Sequence, residues 1–241
     1  MRSVLPAMIL LITLYPVGAF AEAKCMSGNC INGEGRYSFS NGDVYDGQFK
    51  DGKFQGQGTL TYPDGTTYTG QWDQGKRSGQ GISKGADGTT YEGSFEKDIF
   101  NGKGTLTFAN KSGYSGEWKD GKRNGQGAMT YANGIKYEGE WKNDLRDGMG
   151  SIVYPQGEKF TGQWENGEPN GEGVMTYPDG RKYEGRFKDG KFNGQGTMTY
   201  PNGDVYTGQW IDGIPEGAGT MTVSGGKAYK GQFKDGKYTG E

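Results

Sequence analysis

Histidine is absent from this 241-residue chain, and cysteine occurs only twice. The first absence removes imidazole general acid/base catalysis, imidazole-assisted nucleophiles and the commonest metal ligand together. The second means that cysteine alone cannot close a zinc site. Beyond Val17 there is no long apolar run and no sustained 3.6-residue apolar stripe, so helix has almost nowhere to form. Neither sign of charge dominates, with 27 basic residues against 29 acidic, so no polyanionic partner and no nucleic acid is implied.

What is abundant is glycine, 48 residues, together with aromatic side chains, and the two are arranged periodically. Nine times, at a strict interval of 23 residues, the chain writes aromatic-x-Gly-x-aromatic, from Tyr45-Asp46-Gly47-Gln48-Phe49 to Tyr229-Lys230-Gly231-Gln232-Phe233. A fixed period of this length marks a stacked architecture in which each unit buries its apolar face against its neighbours.

The N-terminus is a different object. Met1-Arg2, an apolar run from Val4 to Val17 and Gly18-Ala19-Phe20-Ala21 supply a basic start, a short hydrophobic segment and an A-x-A site. A signal peptide spanning 1–21, cleaved after Ala21, and a secreted or periplasmic product are expected. A spanning helix needs about 20 apolar residues, and Pro6 and Pro16 interrupt this run. Lys24 stands directly before Cys25, where lipid attachment would need a small residue. Cleavage removes Arg2 and leaves 26 basic against 29 acidic residues, a formal charge of −3. Residues 22–32 form a lead segment holding both cysteines. In an exported protein Cys25 and Cys30 are expected to form one local disulfide; two free thiols is the reading for a reducing compartment.

Residues 33–241 are the repeat array. In one unit, Gly56-Gln57-Gly58-Thr59-Leu60-Thr61-Tyr62 reads as a strand, Pro63-Asp64-Gly65 as a turn, Thr66 to Trp72 as a strand and Asp73-Gln74-Gly75-Lys76 as a turn. Leu60 and Tyr62 share one face, as do Tyr68, Gly70 and Trp72, while the threonines and Gln71 take the other. The expected fold is all-β: an elongated, twisted, single antiparallel sheet, a meander of about 18 strands, roughly 85 Å long at ~4.8 Å per strand. Two aromatic rails run along it. One is Tyr45, Tyr68, Tyr91, Tyr114, Tyr137, Phe160, Tyr183, Tyr206 and Tyr229; the other is Phe49, Trp72, Phe95, Trp118, Trp141, Trp164, Phe187, Trp210 and Phe233. The glycine between each pair leaves a slot over which rings can lie.

Tyr68-Thr69-Gly70-Gln71-Trp72 followed by Gly75-Lys76 and Gly79-Gln80-Gly81 resembles the MORN repeat family, from about Gly33 to the end. The resemblance implies an interaction surface. MORN arrays occur in membrane-bound proteins, in cytoskeletal scaffolds, beside lipid kinases and methyltransferase domains, and as exported bacterial proteins made of little else, which this chain is most like. Family analogy also raises dimerisation through the C-terminal edge strand, where Lys227, Lys230 and Lys234 read as gatekeepers against edge association.

Two units depart from the pattern. Ser83 and Gly85 stand where Leu60 and Tyr62 would recur, which predicts a weak point or bend. Lys111 replaces a turn glycine, which predicts a different turn.

Several motifs imitate chemistry. G-x-x-x-x-G-K recurs, as in Gly47 to Lys53, but no Ser or Thr follows the lysine and no helix begins there, so it is not a phosphate loop. Asp64, Asp87 and Asp179 lie at turn positions where aspartate serves local hydrogen bonds. No catalytic residue, metal or cofactor is expected. The rails admit two readings, packed core and stacking platform; on the second, Tyr68, Trp72, Tyr137, Trp141, Trp164 and Trp210 would meet a ligand. The basic turn residues Lys76, Arg77, Lys122, Arg123 and Arg146 admit an anionic-lipid edge or a solvated one, since Asp73, Asp120 and Asp147 lie among them. The functional expectation is a non-catalytic scaffold binding a protein or another envelope component. A peripheral binder of anionic headgroups and a regulatory module associated with a lipid kinase are the alternatives.

Overall fold

Glycine-punctuated stretches of seven and nine residues alternate along the chain, and each becomes a strand. A computed structural model describes residues 22–240, and the signal peptide expected over 1–21 lies outside them. The first two strands are β1 (Lys24–Gly28) and β2 (Gly33–Ser38). The seven-residue strands carry the aromatic-x-Gly-x-aromatic motif: β3 (Val44–Lys50), β5 (Thr67–Asp73), β7 (Thr90–Glu96), β9 (Gly113–Lys119), β11 (Lys136–Lys142), β13 (Lys159–Glu165), β15 (Lys182–Lys188), β17 (Val205–Ile211) and β19 (Ala228–Lys234). Between them run the nine-residue β4 (Lys53–Thr61), β6 (Lys76–Lys84), β8 (Ile99–Thr107), β10 (Lys122–Thr130), β12 (Leu145–Val153), β14 (Glu168–Thr176), β16 (Lys191–Thr199) and β18 (Ile214–Thr222), and then β20 (Lys237–Gly240). The described residues contain no helix.

Each strand pairs antiparallel with the next, giving one 20-stranded meander instead of about 18 strands. The lead segment supplies part of the difference: β1 joins the sheet by pairing with β2. At the other end β20 covers β19 from Gln232 to Lys234, so β19 is not a bare edge.

Short and long strands fit because the long one bulges. Gly47 pairs with Gly58 and Phe49 with Phe54, so Gln48 alone faces the three residues from Gln55 to Gln57. Gly56 at φ +62° makes that excursion, a backbone region that costs glycine little. The Gln48 side chain enters the bulge, its Oε1 accepting from Gln57 N at 3.2 Å. Gln71, Glu140 and Gln163 repeat the bond at 2.8 Å each.

The two connections differ in geometry. At Asp51-Gly52 both central residues have positive φ, 52° and 72°, the mark of a type I′ hairpin. At Pro63-Asp64-Gly65, Tyr62 N donates to Thr66 O and Gly65 N to Tyr62 O. The fourth unit corrects one expectation: Phe108 N still bonds Ser112 O and Lys111 N still bonds Phe108 O, with Lys111 itself at φ +64°. The lysine takes the left-handed position, and the turn is unchanged. In the third unit Ser83 pairs with both Tyr68 and Tyr91, so the pairing runs on through it, because backbone hydrogen bonds do not depend on the missing apolar side chains.

Glycine pairs with glycine from β1 through β19, as in Gly127 with Gly139 and Gly139 with Gly150. This stripe is where the rail rings lie. A Cβ added at Gly139 would come 2.5 Å from Gly150 Cα and 2.7 Å from the Tyr137 hydroxyl. At the N-terminal end the Cys25–Cys30 disulfide takes the ring's place, with Cys30 Sγ 2.9 Å from where a Gly35 Cβ would be.

Candidate binding surface

A single sheet would leave one face of its rings wet unless something covered them, yet every rail residue except Tyr229 is buried. The cover comes from the first inward residue of each long strand, a lid that folds over the tyrosine of its own unit and the second rail of the next. Phe54 stacks on Tyr45 at 3.7 Å between centroids and meets Trp72 edge-on at 5.0 Å. Phe100 and Phe192 do the same to Tyr91 and Tyr183. Elsewhere the lid is a guanidinium: Arg123 Cζ lies 4.4 Å from the Trp141 centroid and Arg146 Cζ 4.3 Å from that of Trp164. Pro169 and Pro215 complete the row.

Lid and rail are chosen together. Phe49 pairs with Phe54, Phe95 with Phe100, Phe187 with Phe192 and Phe233 with Tyr238. Every tryptophan instead pairs with arginine or proline: Trp72 with Arg77, Trp118 with Arg123, Trp141 with Arg146, Trp164 with Pro169 and Trp210 with Pro215. An indole fills the volume that a phenyl ring leaves for a second ring, so its partner must be slim or flat. The indole also spends its one donor inside, Trp141 Nε1 donating to Gly127 O at 3.0 Å.

The six aromatics singled out from the sequence are therefore placed in the packing. Tyr68 and Tyr137 are 1% exposed, and Trp72, Trp141, Trp164 and Trp210 between 3% and 5%. Their tyrosine hydroxyls donate to backbone, Tyr68 to Gln71 O and Tyr137 to Glu140 O at 2.9 Å. Burial pushes the phenols of Tyr68, Tyr91 and Tyr114 up to about 12. Such rings offer almost no area for stacking, which assigns them to the core reading.

The basic residues divide. Lys76 and Lys122 project into solvent. Arg77 and Arg123 are lids, each tied to an aspartate on the next turn: Arg77 Nε to Asp98 Oδ1 at 3.2 Å and Arg123 Nε to Asp144 Oδ1 at 2.9 Å. Asp98 and Asp144 sit at φ 75° and 71°, in the left-handed position that glycine fills in the other turns of this type. The arginines are committed to structure, and the edge presents less free positive charge than its composition implies. Arg146 has no such aspartate; its Nη2 donates to Gly167 O at 2.6 Å.

Opposite the lids runs a row that the sequence reading used only to mark strands: Tyr62, Phe108, Tyr131, Tyr154, Tyr177 and Tyr200, all half-buried. Lids and outer tyrosines form the two walls of a trough floored by the first rail. An open cleft of about 270 Å³ in it is lined by Tyr154, Phe160, Pro169, Tyr177, Phe187 and Phe192. A wider opening of about 630 Å³ at the type I′ edge is bounded by both signs of charge, including Lys119, Lys122, Glu140 and Asp147. Among the described residues no cluster of His, Cys, Asp or Glu could hold a metal ion.

An all-β ribbon of repeated hairpins with an aromatic-lined trough along it defines a repeat module. The MORN repeat model matches the chain ten times, at residues 31–44, 45–67, 68–90, 91–113, 114–136, 137–159, 160–180, 183–205, 206–227 and 229–241. The chain belongs to the MORN repeat family, whose repeats are generally non-catalytic and serve protein and membrane interaction. No curated protein matches it in sequence. Among solved structures it is similar to the G-box domain of the microcephaly protein CPAP, at 18% identity over 84% of this chain and 99% of that one, with a TM-score of 0.44. It is also similar to the TCP10 domain of Danio rerio CPAP in complex with a STIL peptide, at 16% identity over 88% and 99%, with a TM-score of 0.46.

Proposed function

We propose that the protein is a non-catalytic scaffold of the cell envelope, exported by its N-terminal segment, which holds a protein partner along the trough. One observation carries this reading: a lid position, a floor ring and, in most units, an outer-wall ring recur along the sheet, so an elongated partner can make a similar small contact many times. Multivalent contact of this kind accumulates affinity without any strong single site. The signal-like residues before Glu22 support the location. A lipid surface is the weaker alternative, because Arg77 and Arg123 are already paired.

Crosslinking of the full chain in the native envelope, followed by mass spectrometry, tests the proposal. One stoichiometric protein crosslinked to trough residues is the expected result. Crosslinks only to lipid, matched by flotation with anionic vesicles that Lys76→Glu and Lys122→Glu abolish, would replace it with the membrane reading. Turnover of a phosphoryl or glycosyl substrate, lost on changing one carboxylate, would overturn the non-enzymatic assignment.

A further inference from the structure

The outer tyrosines keep a donor that the rail tyrosines have spent. Tyr137 and Tyr183 donate to Glu140 O and Arg186 O at 2.9 Å. The hydroxyls of Tyr154, Tyr177 and Tyr200 have no partner among the described residues and are not buried orphans, so they reach the surface. Burial of their rings raises all three phenols and keeps them protonated. They stand one unit apart, two strand spacings or about 9.6 Å.

The trough opens into a cleft beside Tyr154 and Tyr177. The cleft of about 270 Å³ lies where the lid is Pro169, and Phe160 of the first rail and Phe187 of the second line it. Proline covers less of the floor than the arginine or phenylalanine lids elsewhere. At one end of this stretch is Arg146, close enough to Tyr154 for its charge to oppose the rise in that phenol. Gly167 occupies the position that Asp98 and Asp144 hold in the turns facing Arg77 and Arg123, so Arg146 has no carboxylate within ion-pair distance among the described residues.

Resting on the scaffold reading, we propose that the trough over Tyr154, Tyr177 and Tyr200 binds a polyproline II segment of the partner that carries a carboxylate over Arg146. A polyproline II helix has three residues per turn and rises 3.1 Å per residue, so it returns the same face about every 9.3 Å, close to the ideal two-strand repeat of about 9.6 Å. An extended strand returns its face every ~6.7 Å and is out of step by the second tyrosine. The backbone carbonyls of a polyproline II segment have no internal partners, so each tyrosine hydroxyl donates to one per turn while pyrrolidine rings fill the cleft. The unpaired guanidinium fixes direction by taking the carboxylate in a charge-assisted bond.

Calorimetric titration of the full chain with a synthetic 12-residue peptide of repeated Glu-Pro-Pro tests this. Saturable binding is expected, weakened about tenfold by Arg146→Gln and by Tyr177→Ala, a change of about 1.4 kcal/mol. Lys103→Gln, an equal charge change on the opposite face, leaves it unaltered. Equal binding of a Glu-Gly-Gly peptide, no binding of Glu-Pro-Pro up to millimolar concentration, or binding of a cello-oligosaccharide in its place would each overturn the assignment. An envelope partner whose crosslinking survives both Arg146→Gln and Tyr177→Ala would also overturn it and leave the scaffold reading standing. If the peptide binds as expected and the envelope yields no protein partner, the scaffold reading fails and the trough assignment stands.

Discussion

Units built on phenylalanine and units built on tryptophan solve one packing problem with opposite partners. Around Phe95 the lid is Phe100, and two small rings share the space over Tyr91. Around Trp118 a single large ring takes most of it, and Arg123 lies flat against the next unit's Trp141. The total filling is conserved while its division between neighbouring strands is not. The packing unit of this core is therefore the cross-strand pair, not the single position.

The broadest way to stress both types together is alkali. Tyr68, Tyr91 and Tyr114 have folded-state pKa values of about 12, raised chiefly by burial, against about 10 when unfolded. The unfolded chain loses these protons first, so the stability they contribute is complete below pH 10 and is lost as pH rises through 12. Far-ultraviolet circular dichroism followed against pH is expected to show cooperative loss of sheet in that window. Retention of the full signal at pH 12 would contradict it.

Next in size is the glycine stripe, which is common to both types. Gly139→Ala, in a tryptophan unit, and Gly93→Ala, in a phenylalanine unit, each push a Cβ against backbone 2.4–2.6 Å away. Each is expected to cost at least about 3 kcal/mol in urea denaturation, with little difference between them. A cost under about 1 kcal/mol at either site would show that the sheet can open there.

The comparison itself is sharpened by a double-mutant cycle. Trp72→Phe leaves a gap and Arg77→Phe overfills one, each expected to cost about 1–3 kcal/mol. Together they rebuild the Phe49–Phe54 arrangement, so the double variant should be more stable than the sum of the two losses by about 1–2 kcal/mol. Strict additivity would mean that the pairing has no energetic basis. The smallest effect is expected for Asp144→Gly, which removes a half-exposed ion pair but relieves a left-handed backbone; a net change within about 1 kcal/mol should be seen in thermal melts.

The period, the two rails and the positions of both turns could be read directly from the chain, because each depends on residue identity at fixed spacing. The lids could not, since the bulge at Gly56 and its equivalents breaks simple alternation and brings Phe54 or Arg77 over the rings from an offset register. A signal was present: aromatic after a phenylalanine rail, arginine or proline after a tryptophan one. Composition also does not reveal that Asp98 and Asp144 reach back across 21 residues to Arg77 and Arg123. Gln71 was read as part of the polar face, yet it and its equivalents Gln48 and Gln163 each hold a bulge closed.

The central claim is that the rings over the glycine stripe are the core and that binding falls to the trough above them. Acrylamide quenching of tryptophan fluorescence in the folded chain tests it most directly, because Trp72, Trp118, Trp141, Trp164 and Trp210 are all rail residues no more than 6% exposed. The account predicts blue-shifted emission and quenching several-fold weaker than in urea, unchanged when a trough ligand binds. Emission and quenching like those of the unfolded chain, or protection that appears only with ligand, would contradict it.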